Sequence, residues 1–304
     1  MEPLRAKTVN SCRVALKRRS SSAWLIHWRT ISMLLRLLVL LMVAPVSAAE
    51  PSAEPEREAQ VVAACKNWWR LLDVNAPGTS ESVPGNGLCI NGAIETGTDA
   101  AMLISIQAAP DGPPLIAVIR SGGGEFEASM NVAEALQKRR PTVIANTVCA
   151  SSCANYIMAA GARRIVQDDT FLLYHGGITL RMFDDQARPQ IEALAATDPK
   201  IDVAAAMAQM RTLVTTQKAR QDAFMIRAGV KPEIFAWMDE ADSPAARSIV
   251  ARCPPDSRVI QYSQAALARF GLTFDHFAAP QSQTEVDALL RKLGRNSKVC
   301  YWQE

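Results

Sequence analysis

Histidine is scarce in this chain, with three in 304 residues, and only His175 and His276 lie beyond the first 48. No C-x-x-C pair occurs, so the residue clusters that commonly hold zinc are missing. Neither G-x-x-x-x-G-K-[ST] nor G-x-G-x-x-G is present, which removes the usual sequence support for a nucleotide site. Pro and Gly are not in excess, at 17 and 15 residues, and no internal repeat is visible. Solenoid and low-complexity chains are thereby set aside, and one or two globular domains with a real core are expected. A nucleic-acid partner lacks electrostatic support. The net charge is +3, but residues 1–48 carry eight of the 33 Lys/Arg and one of the 30 Asp/Glu. The remainder has 25 basic against 29 acidic residues, or −4, a mildly acidic body unsuited to a polyanion. No cofactor and no metal are implied.

What is present begins with a basic leader. Residues 32–46, SMLLRLLVLLMVAPV, form an apolar run interrupted only by Arg36, followed by Ser47, Ala48 and Ala49. A positive segment, an apolar core and small residues at the end read as a secretory signal, cleaved after Ala48 or Ala49. An uncleaved leader would be an N-terminal membrane anchor, the one membrane contact expected. The run is short for a span, which needs about 20 residues. Export places the six remaining cysteines in an oxidising compartment, where an even number suggests disulfides. Fifteen pairings are open. Order favours Cys65–Cys89 and Cys253–Cys300, and Cys149–Cys153 would brace the turn before Ser152.

Beyond the leader, residues 49–85 read as a polar linker with a short N-terminal segment. Strands are expected at 88–91, 115–120 (LIAVIR), 142–147, 164–166, 170–174 and 259–262. Helices are expected at 98–107, 128–139, 201–228, 232–240, 264–270 and 283–293, and 181–199 reads as a loop. Strands alternating with helices make the fold class α/β.

Three features carry chemistry. Ser121-Gly122-Gly123-Gly124 follows a buried strand, where glycines let backbone N–H groups approach a ligand. Residues 148–161, VCASSCANYIMAAG, run from a strand into an apolar helix with serines at its start. There a hydroxyl is either a helix cap or a nucleophile beside the positive helix end. His175 follows the apolar strand FLLY. Strand ends gather at one edge of an α/β sheet, so Ser152, His175 and Gly124 are expected to meet. The serine would attack, the imidazole would take its proton and backbone N–H groups would hold the oxyanion.

The order and spacing resemble the ClpP-like peptidases of the crotonase-type fold. LCINGAIE corresponds to the first strand, IRSGGG to the glycine loop, CASSCANYIMAAG to the nucleophile helix and TFLLYHGG to the histidine strand. The likeness covers roughly residues 86–178. It implies a ClpP/crotonase-like spiral of repeated β-β-α units over 86–275, with a C-terminal helix and tail at 276–304. Counting back from Ala160-Gly161 puts the family's nucleophile on Ser152, 23 residues before His175. The resemblance also implies oxyanion donors at the N–H groups of Gly124 and Cys153, a triad acid at Asp242 (with Asp239 or Glu240 as alternatives) and a homo-oligomer.

The function expected is therefore an exported, periplasmic or secreted, serine hydrolase acting on peptides or proteins. Two alternatives share the fold: a non-catalytic binding or assembly protein, and an acyl-CoA hydratase or isomerase using the same N–H pair for an enolate. Export disfavours the last, because CoA esters are cytosolic.

Overall fold

The computed structural model describes residues 53–235, 253, 257 and 259–303. The expected leader lies outside these, as do Asp239, Glu240 and Asp242.

Among the described residues, nine strands form one mixed sheet. They are β1 (Thr79–Val83), β2 (Gly87–Asn91), β3 (Ile116–Ser121), β4 (Thr142–Ala150), β5 (Arg163–Val166), β6 (Phe171–Tyr174), β7 (Val259–Tyr262), β8 (His276–Phe277) and β9 (Val299–Trp302). The main path runs β1-β2-β3-β4-β6-β7-β9, with β5 and β8 branching from β4. Strands β2, β3 and β4 are parallel, while β1 and β2, and β6 and β7, are antiparallel. The chain is thus α/β, as its alternating pattern implies.

The continuous apolar run of β3 is explained by burial on both faces. Ala117 and Ile119 join the larger core, and Ile116 and Val118 the core behind the sheet, as the two-residue period of a strand requires. The larger core is covered by helices α2 (Thr98–Ala108), α3 (Phe126–Arg139) and a short helix, α4. Helix α4 is a π-helical turn, Cys153–Ile157, running into Met158–Ala160.

Strand β4 changes partner halfway. Thr142 to Ala145 pair with β5, and Val148 to Ala150 pair with β6. Its register against β3 slips between Ala145 and Cys149, the mark of a bulge, which bends a strand and redirects its end. Thr147 within it has φ +67°, and its N–H is held by Thr170 Oγ1 at 2.9 Å. The far half of β4 is thereby turned toward β6, and the residues after the two strands are delivered side by side.

Two stretches differ from expectation. The supposed linker contains helix α1 (Ala53–Trp68). Its Val61 and Cys65, with Trp69 one turn on, are buried against Cys89, Ile116 and Val118. Four-residue spacing puts these three on one face, and the polar stretch 54–60, EPEREAQ, that precedes them hides that face from a composition reading. The supposed loop is helix α5 (Leu180–Thr197), which continues through Pro189 and packs along helix α6 (Val203–Arg227). Asp202 caps α6, its carboxylate accepting from the N–H groups of Ala204 and Ala205.

Past α6, a 3₁₀ turn, Pro232–Phe235, stands where a helix was expected to begin. Helices α7 (Gln264–Arg269) and α8 (Gln283–Lys292) follow, capped by Ser263 and Ser282. The tail does not stand apart. Strand β9 pairs with β7, and α8 packs Val286 and Leu289 with Phe171 and Val299.

Three disulfides are present: Cys65–Cys89, Cys149–Cys153 and Cys253–Cys300. They join α1 to β2, the two sides of the β4–α4 turn, and residue 253 to β9. Such bonds persist in oxidising compartments. Among the described residues no helix is long and apolar enough to cross a membrane.

Candidate active site

The site forms where β4 ends. Ser151 takes φ +55°, a left-handed conformation that costs a non-glycine residue about 1–3 kcal/mol and persists only where its surroundings fix it. They do so on both sides. The Ser151 N–H donates to Leu173 O of β6 at 2.9 Å, and Asn155 N–H donates to Ser151 O at 2.9 Å. The Cys149–Cys153 disulfide, both cysteines fully buried, closes the turn around it.

Ser151 Oγ lies 2.5 Å from His175 Nε2, within hydrogen-bond contact. The residue expected in that place was Ser152. Its hydroxyl points elsewhere and donates to Gly124 O at 2.9 Å. The displacement has a cause in α4. A π turn holds one residue more than an α turn, so counting back from Ala160-Gly161 as though along a regular helix lands one residue late. By the same shift the residue after the facing serine is Ser152, not Cys153, whose side chain is closed in the disulfide.

His175 is carried by the segment leaving β6. Asn155 Nδ2 donates to Gly176 O at 2.7 Å, and Gln221 Oε1 accepts from Tyr156 Oη at 2.7 Å and from the Ile178 N–H at 2.9 Å. Asn155 and Gln221 are both buried. Neither was singled out in the sequence; a buried polar residue in the apolar run ANYIMAAG was the available signal for Asn155. Burial pushes the Tyr156 hydroxyl well above the usual tyrosine range, so it stays a hydrogen-bond donor. Among the described residues no carboxylate is hydrogen-bonded to His175, and the expected acid lies outside them.

The glycine loop closes the third side. The Gly123 N–H is taken by Ser121 Oγ at 3.0 Å, and that hydroxyl donates to Gly92 O at 2.7 Å. Gly123 has φ +97°, and a Cβ there would lie 2.6 Å from both Ala150 O and Ser151 Cβ. A Cβ on Gly124 would lie 2.0 Å from Ile94 O. Only glycine fits at either place. The first intrahelical bond of α4 is Asn155 N–H to Ser151 O, so the Ser152 N–H is among the first-turn donors left without a helical acceptor. Among the described residues neither the Ser152 nor the Gly124 N–H has an acceptor. His175 and the glycine loop thus come together with Ser151, and not with Ser152 as the serine facing the imidazole, which was the expectation. Among the described residues no group of three His, Cys, Asp or Glu side chains is placed to hold a metal.

Compared with known proteins, the chain matches no family model and no curated protein sequence.

Proposed function

We propose that the protein is a serine hydrolase, a peptidase of the ClpP-like class, working outside the cytosol. One observation carries the reading: a serine in a strained turn at a strand end, with its hydroxyl on the Nε2 of one of the two histidines beyond the leader. The glycine loop packed against that serine, and the fork of β4 into β5 and β6, support the spiral arrangement of the ClpP/crotonase fold.

In this reading Ser151 Oγ attacks the carbonyl carbon of a peptide or ester while His175 Nε2 takes its proton. The carbonyl oxygen, now negative, is held by the N–H groups of Ser152 and Gly124. His175 returns the proton to the leaving group, and a water, deprotonated by the same nitrogen, releases the acyl group. Asp242, with Asp239 or Glu240 as alternatives, is the proposed partner of the other imidazole nitrogen. The substrate is a peptide or protein, and the working form a homo-oligomer. A binding or assembly protein on the same fold is the second reading, favoured by the long inserted stretch with Cys253, Pro254 and Pro255 between the proposed acid and Gln264.

Reaction of the purified protein with a fluorophosphonate probe tests the proposal. Labelling should occur on Ser151, vanish in Ser151→Ala and slow by orders of magnitude in His175→Ala. No labelling of the wild type would favour the binding reading, and undiminished labelling of Ser151→Ala would overturn the assignment.

A further inference from the structure

We infer that the hydroxyl of Ser152 is a positioning group that sets the distance between the two oxyanion donors. This rests on the serine-hydrolase reading and assigns a role which that reading does not require. A serine at a helix start ordinarily caps its own helix. Ser152 does not: its side chain accepts no bond from the first turn of α4. It is buried at 7% exposure and reaches 28 residues back along the sequence to donate to Gly124 O.

The consequence follows from peptide geometry. In a trans peptide the C=O and N–H point in opposite directions. The Gly123–Gly124 peptide is held at its oxygen by the Ile94 N–H at 2.8 Å, so its other end, the Gly124 N–H, points away from Ile94. The next peptide, Gly124–Glu125, is held at its N–H by Ile94 O at 2.9 Å and at its oxygen by Ser152 Oγ. Gly124 is thus fastened to the exit of β2 on both of its peptides, and to α4 through this hydroxyl. The residue that supplies one oxyanion donor by its own N–H therefore grips, by its side chain, the residue that supplies the other. Two donors act together only if their separation is fixed before charge develops. Backbone bonds to Ile94 fix Gly124 against the sheet, whereas the Ser152 bond fixes it against the serine-bearing helix.

The test compares the wild type, Ser152→Ala, Ser152→Thr and Ser151→Ala by the rate of fluorophosphonate labelling across pH, with thermal melting as a check of folding. Complete loss of one oxyanion donor costs about a hundredfold or more in other enzymes, so loosening one should slow labelling about tenfold. The slowing in Ser152→Ala should be equal at every pH, with the midpoint of the profile unmoved, because the Ser151–His175 pair is untouched. Ser152→Thr, which keeps the hydroxyl, should restore the rate. Wild-type labelling by Ser152→Ala, slowing through a shifted midpoint, or a folded Ser152→Thr as slow as the alanine variant would each overturn the inference. If Ser152→Ala does not fold, Ser152→Val set against Ser152→Thr, a pair matched in shape and differing in the hydroxyl, is read the same way. Ser151→Ala separates the two levels. If it labels like the wild type, the serine-hydrolase assignment falls. If it is silent while Ser152→Ala is unaffected, only the positioning role falls.

Discussion

Gly123 and Ser151 stand so close that a Cβ on the glycine would lie 2.6 Å from that of the serine. Real Cβ atoms do not approach so closely, so the loop after β3 and the turn after β4 share one surface. The serine in its strained backbone conformation thus packs directly on a residue with no side chain.

Replacing that glycine should therefore break the site. Gly123→Ala adds a methyl against Ala150 O and Ser151 Cβ at φ +97°, a combination expected to cost about 2–4 kcal/mol and to suppress fluorophosphonate labelling. Gly122→Ala is the control, since a Cβ there meets nothing within 4 Å. Denaturant unfolding should separate the two variants.

Asn155 links the serine and histidine segments, with its N–H on Ser151 O and its side-chain amide on Gly176 O. Asn155→Leu keeps the bulk and removes the side-chain donor, leaving a buried carbonyl unpaired at a cost of about 1–3 kcal/mol. Labelling should slow further than the loss of folded protein explains, because His175 precedes the released carbonyl.

The three disulfides predict no free thiol among the six cysteines after residue 48 when the protein is denatured without reductant. Reduction should lower the melting temperature steeply. By loop-closure entropy Cys65–Cys89 and Cys253–Cys300, separated by 24 and 47 residues, contribute about 3–4 kcal/mol each, and the four-residue Cys149–Cys153 about 2. Replacing that last pair with alanines should show more in labelling rate than in melting, because Ser151 lies between the two cysteines.

Stability should fall on the alkaline side. Burial raises the hydroxyls of Tyr156 and Tyr174 above the ordinary value of 10.0. A raised folded-state value means that the folded chain keeps protons which the unfolded chain releases. The contribution is present in full below about pH 10 and is lost as pH rises beyond it. Melting temperature should decline above that pH, with phenolate absorbance from these two residues appearing only as the protein unfolds.

The central strands were legible because LIAVIR and FLLY are apolar runs of strand length, and the helices because of their caps and stops. Helix α1 was not, since its buried Val61 and Cys65, with Trp69 just past its end, follow a glutamate-rich first half. Helix α5 was obscured by Pro189, which ordinarily ends a helix. Strands β8 and β9 are short and take their identity from partners distant in sequence, β5 for β8 and β7 for β9, whereas β1, TSESV, is a polar strand paired with its neighbour β2. Of the candidate site, His175 and the glycine triplet were legible and the facing serine was displaced by one residue. A serine, His175 and the glycine triplet were expected together, but Ser151 and Ser152 differ only in the direction each hydroxyl takes. Backbone winding sets that direction, and composition does not record it.

The winding of residues 153–157 has a consequence for finding similar chains. A search template with rigid spacing between its serine and the Ala-Gly that closes the helix would align Ser152 here and pass over the serine that faces His175. One that tolerates a single extra position at that point would pick out Ser151.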